Sequence, residues 1–531
     1  MISTAAVKLQ REPLGRTQRE CPICESHNLE YEFVVDGAPV CGCEDCGLLF
    51  LNPQPPAHAE NPPAPLNSGP VADLYLANAA ERVRQLIGYS GLRRGTLLVV
   101  GDDTYLVAEA KKTGFEVIAM DVRDFETAAL PDFPAPVDAC VLFCALEKMR
   151  DPLGALQMLR GVLRSHGSLM VVSPTTDSRA ARLFRNSWWE FNRANLFYFS
   201  ADTLQNLLIK AGFGDSLITA EHSFASLNYL RRRLAQAPRG RRRYRMLQAL
   251  TSLSPVMRDK AFRLVHGRTR FLSRPKPQSS TPLLSVVVPV YNEHATVAEL
   301  LDRVLAKLID GVDIEVIVVE SNSTDGSRDV VRRYADHPRV RLILEDKPRG
   351  KGYAVRAALK QAKGDVVLIQ DADLEYDVND YDALIAPILR CRTNFVLGSR
   401  HTAANSNWKI RTFSDSPALS AYFNFGHALL LTMFNVVYSQ NLTDPFTMFK
   451  VFRRDCLYGL RFECDRFDFD NEIVIKLIRK GYKPLELPVN YVSRSIQEGK
   501  KITLFMDPLR WIRALIKFRK SPLYEPDEQQ T

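Results

Sequence analysis

Apolar residues in this chain gather in short continuous runs of strand length, separated by stretches of helical periodicity. In the second half, residues 284–290, 315–319 and 366–369 read as buried strands. Each stops abruptly at polar groups: Tyr291-Asn292-Glu293, Glu320-Ser321-Asn322 and Gln370-Asp371-Ala372-Asp373-Leu374-Glu375. In the first half, residues 97–101, 116–121, 138–143 and 168–172 read the same way, with helical patterns between them. Strands that are apolar throughout are covered on both faces, so the pattern predicts an α/β fold with two doubly wound domains. Open sheets of this kind bind ligands outside the carboxyl ends of their strands, which is where the polar residues fall.

With 531 residues the chain exceeds what one core organises. The pattern divides it into a small cysteine-bearing segment (18–60), a first α/β domain (71–226), a basic linker (227–282), a second α/β domain (283–503) and a basic amphipathic helix with a tail (504–531). A Pro-rich stretch, 53–70, separates the first two.

Charge alters this picture in one place. The net charge is +9, yet residues 231–276 hold 15 Lys and Arg against the single acid Asp259, so the rest of the chain is close to neutral. Such a segment can lie on anionic lipid or be a solvated helical linker. Nucleic acid is not an expected partner, because no stacking-aromatic pattern accompanies the basic residues. Residues 1–15 lack the apolar core of a signal peptide, which predicts cytoplasmic residence. The uncharged stretch 416–443 contains Asn424, His427 and Asn435 and reads as a buried or membrane-surface helix. Residues 504–520 alternate Phe505, Leu509, Ile512, Leu515 and Ile516 with Arg510, Arg513, Lys517, Arg519 and Lys520, a helix able to lie at the cytoplasmic face of a membrane or to pack on the catalytic domain.

Four of the ten cysteines form two pairs, Cys21-Pro22-Ile23-Cys24 and Cys43-Glu44-Asp45-Cys46. Paired knuckles of this spacing offer four thiolates at tetrahedral positions, which suits a structural Zn²⁺. Cys41 is near enough in sequence to be a spare ligand.

The cysteine pairs are followed by Gly47-Leu48-Leu49-Phe50-Leu51-Asn52-Pro53-Gln54-Pro55, and the first α/β domain carries Asp121 at a strand end, Asp151-Pro152, Trp188-Trp189 and Leu196-Phe197-Tyr198-Phe199-Ser200. On these residues the first half resembles class I S-adenosylmethionine-dependent methyltransferases with an N-terminal zinc-binding segment. The resemblance implies a glycine-rich cofactor turn after the first strand. The turn here is Gly101-Asp102-Asp103-Thr104-Tyr105, with Asp103 and Tyr105 at the positions of two glycines, Val99 in place of an acid, and Lys148 after Glu147 where the family has His. Side chains there obstruct close approach of the backbone to a ligand. The expectation is a module that keeps the fold without methyl transfer, the alternative being a second, S-adenosylmethionine-dependent activity on a sugar or glycan.

In the second domain, Asp371 and Asp373 stand one residue apart at a strand end, a spacing that lets both carboxylates reach one hard cation, Mg²⁺ or Mn²⁺. Glu375 follows two residues on. Glu320 ends a neighbouring strand and can accept from a base or ribose hydroxyl, and Arg349-Gly350-Lys351-Gly352, with Arg356, offers positive charge and glycines at a helix start. The order is base contacts, then basic groups, then metal ligands.

Adding Ser323-Thr324-Asp325-Gly326, Gly398-Ser399-Arg400, Thr443-Asp444, Lys450-Val451-Phe452-Arg453-Arg454, Phe467-Asp468-Phe469 with Glu472, and Tyr491, Arg494 and Lys501, the second half resembles inverting family 2 glycosyltransferases of GT-A fold, similar to dolichyl-phosphate mannose synthases. The resemblance implies a nucleotide-sugar donor and a lipid-phosphate or glycan acceptor. It assigns Asp371, Asp373 and Glu375 to the divalent metal. Pro289, Tyr291, Glu293, Glu320 and Lys351 go to the donor, Arg400, Arg494 and Lys501 to phosphate charge, and Asp444 to the place of the general base for hydroxyl acceptors. Two departures stand out: Glu320-Ser321-Asn322 replaces Asp-Asp-Gly, and the 444–448 loop lacks the Gly common before the Phe-Lys step.

Overall fold

The protein is described by a computed structural model covering residues 17–55, 72–101, 103–128, 136–226, 262–276, 281–401, 417–492 and 506–525. The chain divides into two compact units, Met1–Lys276 and Pro277–Thr531.

In the first unit β1 (Leu29–Val35), β2 (Ala38–Cys43) and β3 (Leu49–Leu51) form an antiparallel meander. The main sheet contains β4 (Gly95–Val100), β5 (Phe115–Met120), β6 (Val137–Phe143) and β7 (Leu163–Pro174). The two-residue β8 (Phe197–Tyr198) joins the meander beside β3, so the cysteine-bearing segment and the Leu196-Phe197-Tyr198-Phe199-Ser200 motif are parts of one sheet. With β9 (Phe213–Ala225) and β10 (Phe262–Pro275), the main sheet runs β5-β4-β6-β7-β10-β9. Strands β4 to β7 are parallel, and β10 is antiparallel to both its neighbours.

Strand β10 departs from expectation. Its residues fall in the segment that composition assigns to a basic linker, yet it lies between β7 and β9. Two of its arginines meet acids: Arg270 pairs with Glu221 at 2.7 Å, and Arg268 approaches Glu190 at 3.6 Å. Residues 227–261, the remainder of that linker, lie outside the described residues.

The second unit is a seven-stranded sheet of β11 (Leu283–Val290), β12 (Asp313–Glu320), β13 (Val340–Leu344), β14 (Val366–Ile369), β15 (Phe395–Ser399), β16 (Lys450–Arg453) and β17 (Leu485–Pro488), ordered β13-β12-β11-β14-β16-β15-β17. Strands β11 to β14 are mutually parallel, and β16 runs against β14 and β15. The sequence order reverses between β11 and β14, the place where a crevice opens above the carboxyl ends of an open sheet. The β11–β14 contact is held close by Gly364: a Cβ there would stand 2.5 Å from Ser285 Oγ and 2.7 Å from the Leu283 carbonyl oxygen. Ser285, wholly buried, accepts from Gly364 N and donates to Glu315, which is how a hydroxyl is tolerated inside an apolar strand. Helices Val297–Ala306 and Tyr381–Leu389 seal the core through Leu300, Leu301, Val304, Leu384, Ile385 and Ile388.

Helix Pro417–Tyr438 is the uncharged stretch, and helix Met506–Lys520 is the basic amphipathic one. The latter buries Ala514, Leu515 and Phe518, while Phe425, Leu429 and Val436 of the former and Ile516 of the latter are exposed. Among the described residues no helix is long and apolar enough to cross a membrane.

Candidate active site

Three strand ends meet at the reversal point of the second sheet. After β11, Asn292 takes a left-handed conformation (φ +51°), its side-chain oxygen accepts from Thr324 N at 2.9 Å, and its own N–H donates to Ser323 Oγ at 2.9 Å. His294 N donates to Asp325 Oδ2, so the loops after β11 and β12 are tied edge to edge. Asn322 also has positive φ, +56°. It stands where the resemblance leads one to expect glycine, and Asn is among the few residues with a side chain that enter this region readily. The loop shape therefore survives the substitution.

Glu320 is wholly buried and already engaged. One carboxylate oxygen accepts from Ser323 N at 2.6 Å and the other from Arg328. It braces the loop in this conformation. Beside it, just after β13, Glu345 is buried, and desolvation pushes its carboxyl up. Pro289 and Tyr291 flank the β11 end, with Tyr291 39% exposed.

After β14, Gln370 locks the turn: its N–H donates to the Val287 carbonyl, and Tyr381 donates to its side-chain oxygen at 3.0 Å. Asp371 and Asp373 follow. Asp373 Oδ1 accepts from Glu375 N at 3.3 Å, and Glu375 Oε2 accepts from the Tyr491 hydroxyl at 3.2 Å. Lys351 Nζ lies 2.6 Å from Asp371 Oδ1.

The glycines around Lys351 have a packing role. Gly350 has φ +112° and abuts the Asp465 carbonyl, and a Cβ on Gly352 would fall 2.6 Å from Phe469 Cβ and 2.7 Å from the Cys464 carbonyl oxygen. They let helix Lys351–Gln361 start against that backbone, and this packing delivers Lys351 to Asp371. Arg356 pairs with Asp465, and Arg349 lies over the Tyr353 ring at 4.6 Å.

Arg400 and Asp444 are engaged with each other. The Arg400 side chain is 7% exposed, and Asp444 is fully inaccessible. Arg400 Nε and Nη2 each donate at 2.7 Å to different Asp444 oxygens, and the Arg400 N–H adds a third bond at 3.0 Å. Burial pushes the Asp444 carboxyl up, but the guanidinium charge and these bonds outweigh it and hold the group below the usual carboxylate range. Asp444 is thus ionised and has no exposed oxygen. Arg494 and Lys501 lie outside the described residues.

Sequence reasoning gives no place to Asp470, Glu345 or Arg328, and it names Gln370 and Lys450 only as members of motifs, without a role of their own. Lys450 carried the clearest signal, a lysine at the head of the apolar run Lys450-Val451-Phe452.

Residues 285–460 match the family model described as "Glycosyl transferase family 2". The chain carries a family 2 glycosyltransferase domain. Residues 73–215 match the model "Methyltransferase domain". A "Low-salt glycan biosynthesis hexosyltransferase" of Haloferax volcanii is 26% identical over 236 residues, 44% of this chain and 53% of that protein. A "Dolichol-phosphate mannosyltransferase" of Pyrococcus furiosus is 27% identical over 238 residues, 44% of this chain and 64% of its own. A "Dolichyl-phosphate beta-glucosyltransferase" of Trichomonas vaginalis is 31% identical over 221 residues, 39% of this chain and 65% of its own. The chain thus spans between about half and two thirds of each of these relatives, all of them aligned with well under half of the present chain.

Outside the family 2 domain, Cys21, Cys24, Cys43 and Cys46 bring their sulfurs within 4.8 Å of one another. Two left-handed residues turn the knuckles, Glu25 (φ +60°) and Gly47 (φ +77°). Cys41 is not in the group. In the methyltransferase domain, the turn after β4 does not fit S-adenosylmethionine. Asp103 is buried, caps helix Thr104–Lys112 and pairs with Arg82 at 2.9 Å. Arg82 continues to Glu221 at 2.8 Å, and Glu221 to Arg270. Tyr105 stacks on Tyr75 with ring centroids 5.4 Å apart, and Asp121 caps helix Val122–Thr127. Ion pairs and packed rings stand where a ligand needs bare backbone.

Proposed function

We propose that the family 2 domain transfers a hexose, with inversion, from a nucleotide-sugar to a phosphate acceptor of the polyprenyl-phosphate kind. The observation that carries this reading is the meeting of the β11, β12 and β14 ends, with Asp371 and Asp373 at the point of reversal. Two adjacent hard-oxygen donors suit Mg²⁺ or Mn²⁺, and such a cation would neutralise the diphosphate leaving group. Tyr491 steadies Glu375, and Gln370 fixes the turn that aims both aspartates. Pro289, Tyr291, Glu293 and Glu320 form the rim on which the nucleoside is proposed to lie, with Arg494 and Lys501 proposed as phosphate contacts.

The acceptor class follows from Asp444. A hydroxyl acceptor needs a base with an accessible oxygen, and both oxygens of Asp444 are occupied by Arg400. An ionised phosphate needs no base, and two of the relatives are named for dolichyl or dolichol phosphate. We assign Asp444 the anchoring of Arg400.

The Phe425, Leu429, Val436 and Ile516 side chains, beside the basic Arg513, Lys517 and Lys520, are proposed to rest on the cytoplasmic face of a membrane, where such an acceptor resides. The four cysteines are proposed to hold Zn²⁺, and the methyltransferase domain to act as a structural or docking module. The deciding assay measures nucleoside diphosphate release from a donor panel with Mn²⁺, using polyprenyl phosphate, polyprenol and free sugars as acceptors. Turnover only with the phosphate supports the reading; equal turnover with polyprenol, or unchanged turnover in Asp373→Ala, sinks it.

A further inference from the structure

A line of alternating charges runs inward from the strand-end carboxylates. Lys351 Nζ contacts Asp371 Oδ1 at 2.6 Å and Asp470 Oδ2 at 3.5 Å, while Asp470 Oδ1 lies 3.2 Å from Lys450 Nζ. The side chains become less exposed along the line: 21% for Asp371, 10% for Lys351, 9% for Asp470 and none for Lys450. Lys450 also donates to the Thr447 carbonyl. Two ammonium groups and two carboxylates leave the line neutral without any bound ion.

We propose that Lys351 is a resident counter-ion that keeps Asp371 neutralised until the donor arrives, so that the divalent cation enters with the nucleotide and not ahead of it. A divalent cation on Asp371 would stand within a few ångströms of the Lys351 ammonium, and two cations so close in a poorly screened site repel. Retreat inward is closed, because Asp470 is already shared with Lys450 and the backbone at Gly350 and Gly352 is packed against residues 464–469. The remaining freedom is outward. A diphosphate offers Lys351 a new anionic partner there and frees the Asp371 oxygen at the same moment. Asp470 and Lys450 are positioning residues in this account, since they act through Lys351.

The inference rests on the proposed donor site, and the test separates the two. Mn²⁺ binding to the full chain is measured by electron paramagnetic resonance, alone and with saturating UDP or GDP, in wild type, Lys351→Met and Lys351→Arg. Without nucleotide, Lys351→Met is expected to bind Mn²⁺ at least about tenfold more tightly than wild type, as removal of one repelling charge requires. Lys351→Arg, which keeps the charge, is expected to stay at the wild-type level. Nucleotide is expected to raise the wild-type affinity and to narrow the difference between wild type and Lys351→Met. Equal Mn²⁺ affinity in wild type and Lys351→Met overturns the counter-ion role while leaving the donor site intact. Absence of Mn²⁺ binding in every variant, even with both nucleotides, overturns the donor site itself. Should Lys351→Met not fold, wild type alone decides: Mn²⁺ bound as tightly without nucleotide as with it refutes the proposal.

Discussion

Arg400 and Asp444 form a closed pair in which both carboxylate oxygens and two guanidinium nitrogens are used on each other. Breaking one side of a buried pair strands the other charge, at a cost of about 3–5 kcal/mol, whereas replacing both with apolar residues of similar volume is often neutral. Asp444→Asn is therefore expected to destabilise the second unit by that amount. The double variant Arg400→Met/Asp444→Leu should recover most of it in urea unfolding, with transfer activity absent. The pH dependence follows from the sign of the shift. Asp444 is held below its unfolded pKa of about 3.9, so its contribution is complete above that pH and is lost as pH falls further. Acid unfolding monitored in wild type and the double variant checks this: only wild type should lose the added stability below about pH 4.

Much of this site was legible because buried parallel strands leave a plain signature. The apolar runs at 284–290 and 366–369 coincide with β11 and β14 to within a residue, and the acids after them fall at the carboxyl edge of the sheet. Strand β10 was not legible, because Arg263, Arg268, Arg270 and Arg274 give it the composition of a linker, and acids that neutralise it, Glu190 and Glu221, lie on distant segments. The same reason hid the commitments of Glu320 and Lys450. Arg328 is eight residues from Glu320 and Asp470 is twenty from Lys450, and only the folded sheet brings them together. The packing role of Gly350 and Gly352 is not legible either, because a glycine required by backbone packing looks identical in sequence to one required by a phosphate.

Glu147 supplies a prediction of opposite sign in the first unit. It is buried, receives the Ser173 hydroxyl at 3.0 Å, and desolvation pushes its carboxyl up to about 7. A raised carboxyl binds a proton more tightly when folded, so this group lowers stability as pH climbs from its unfolded value of about 4.3 through 7. Glu147→Gln keeps an oxygen for Ser173 and removes the titration. It is expected to stabilise the first unit by roughly 1–3 kcal/mol at pH 8 and to change little at pH 4. Thermal unfolding at the two pH values measures the difference, and an equal effect at both would show that burial of the charge is not its origin.

The four-cysteine cluster predicts a stoichiometry. Purified protein should contain one zinc per cluster, released by a thiol reagent and detected by a chromogenic chelator. Cys43→Ser should lose it, because three remaining sulfurs leave the tetrahedron open. Hydrogen exchange is expected to accelerate in β1 to β3 first, since Cys43 ends β2 and Gly47 N–H donates back to its carbonyl. Cys41→Ser should retain the metal, which distinguishes the group of four from any fifth sulfur.

The charge cluster after β4 carries the last expectation. Asp103 lies between the helix it caps and Arg82, and Arg82 lies over the Phe143 ring at 4.0 Å while also holding Glu221. This arrangement occupies the turn and draws stability from it, so the features that obstruct a cofactor are the ones that stabilise the turn. Calorimetry of wild type with S-adenosylmethionine is expected to give no binding heat. Asp103→Gly restores a family glycine, yet it strips a buried guanidinium of one partner and a helix of its cap. Its expected outcome is a first unit destabilised by about 3–5 kcal/mol that still binds no cofactor, because Tyr105 stays stacked on Tyr75. Saturable binding by wild type would return a second activity to this chain and would require the Arg82–Asp103 pair to open.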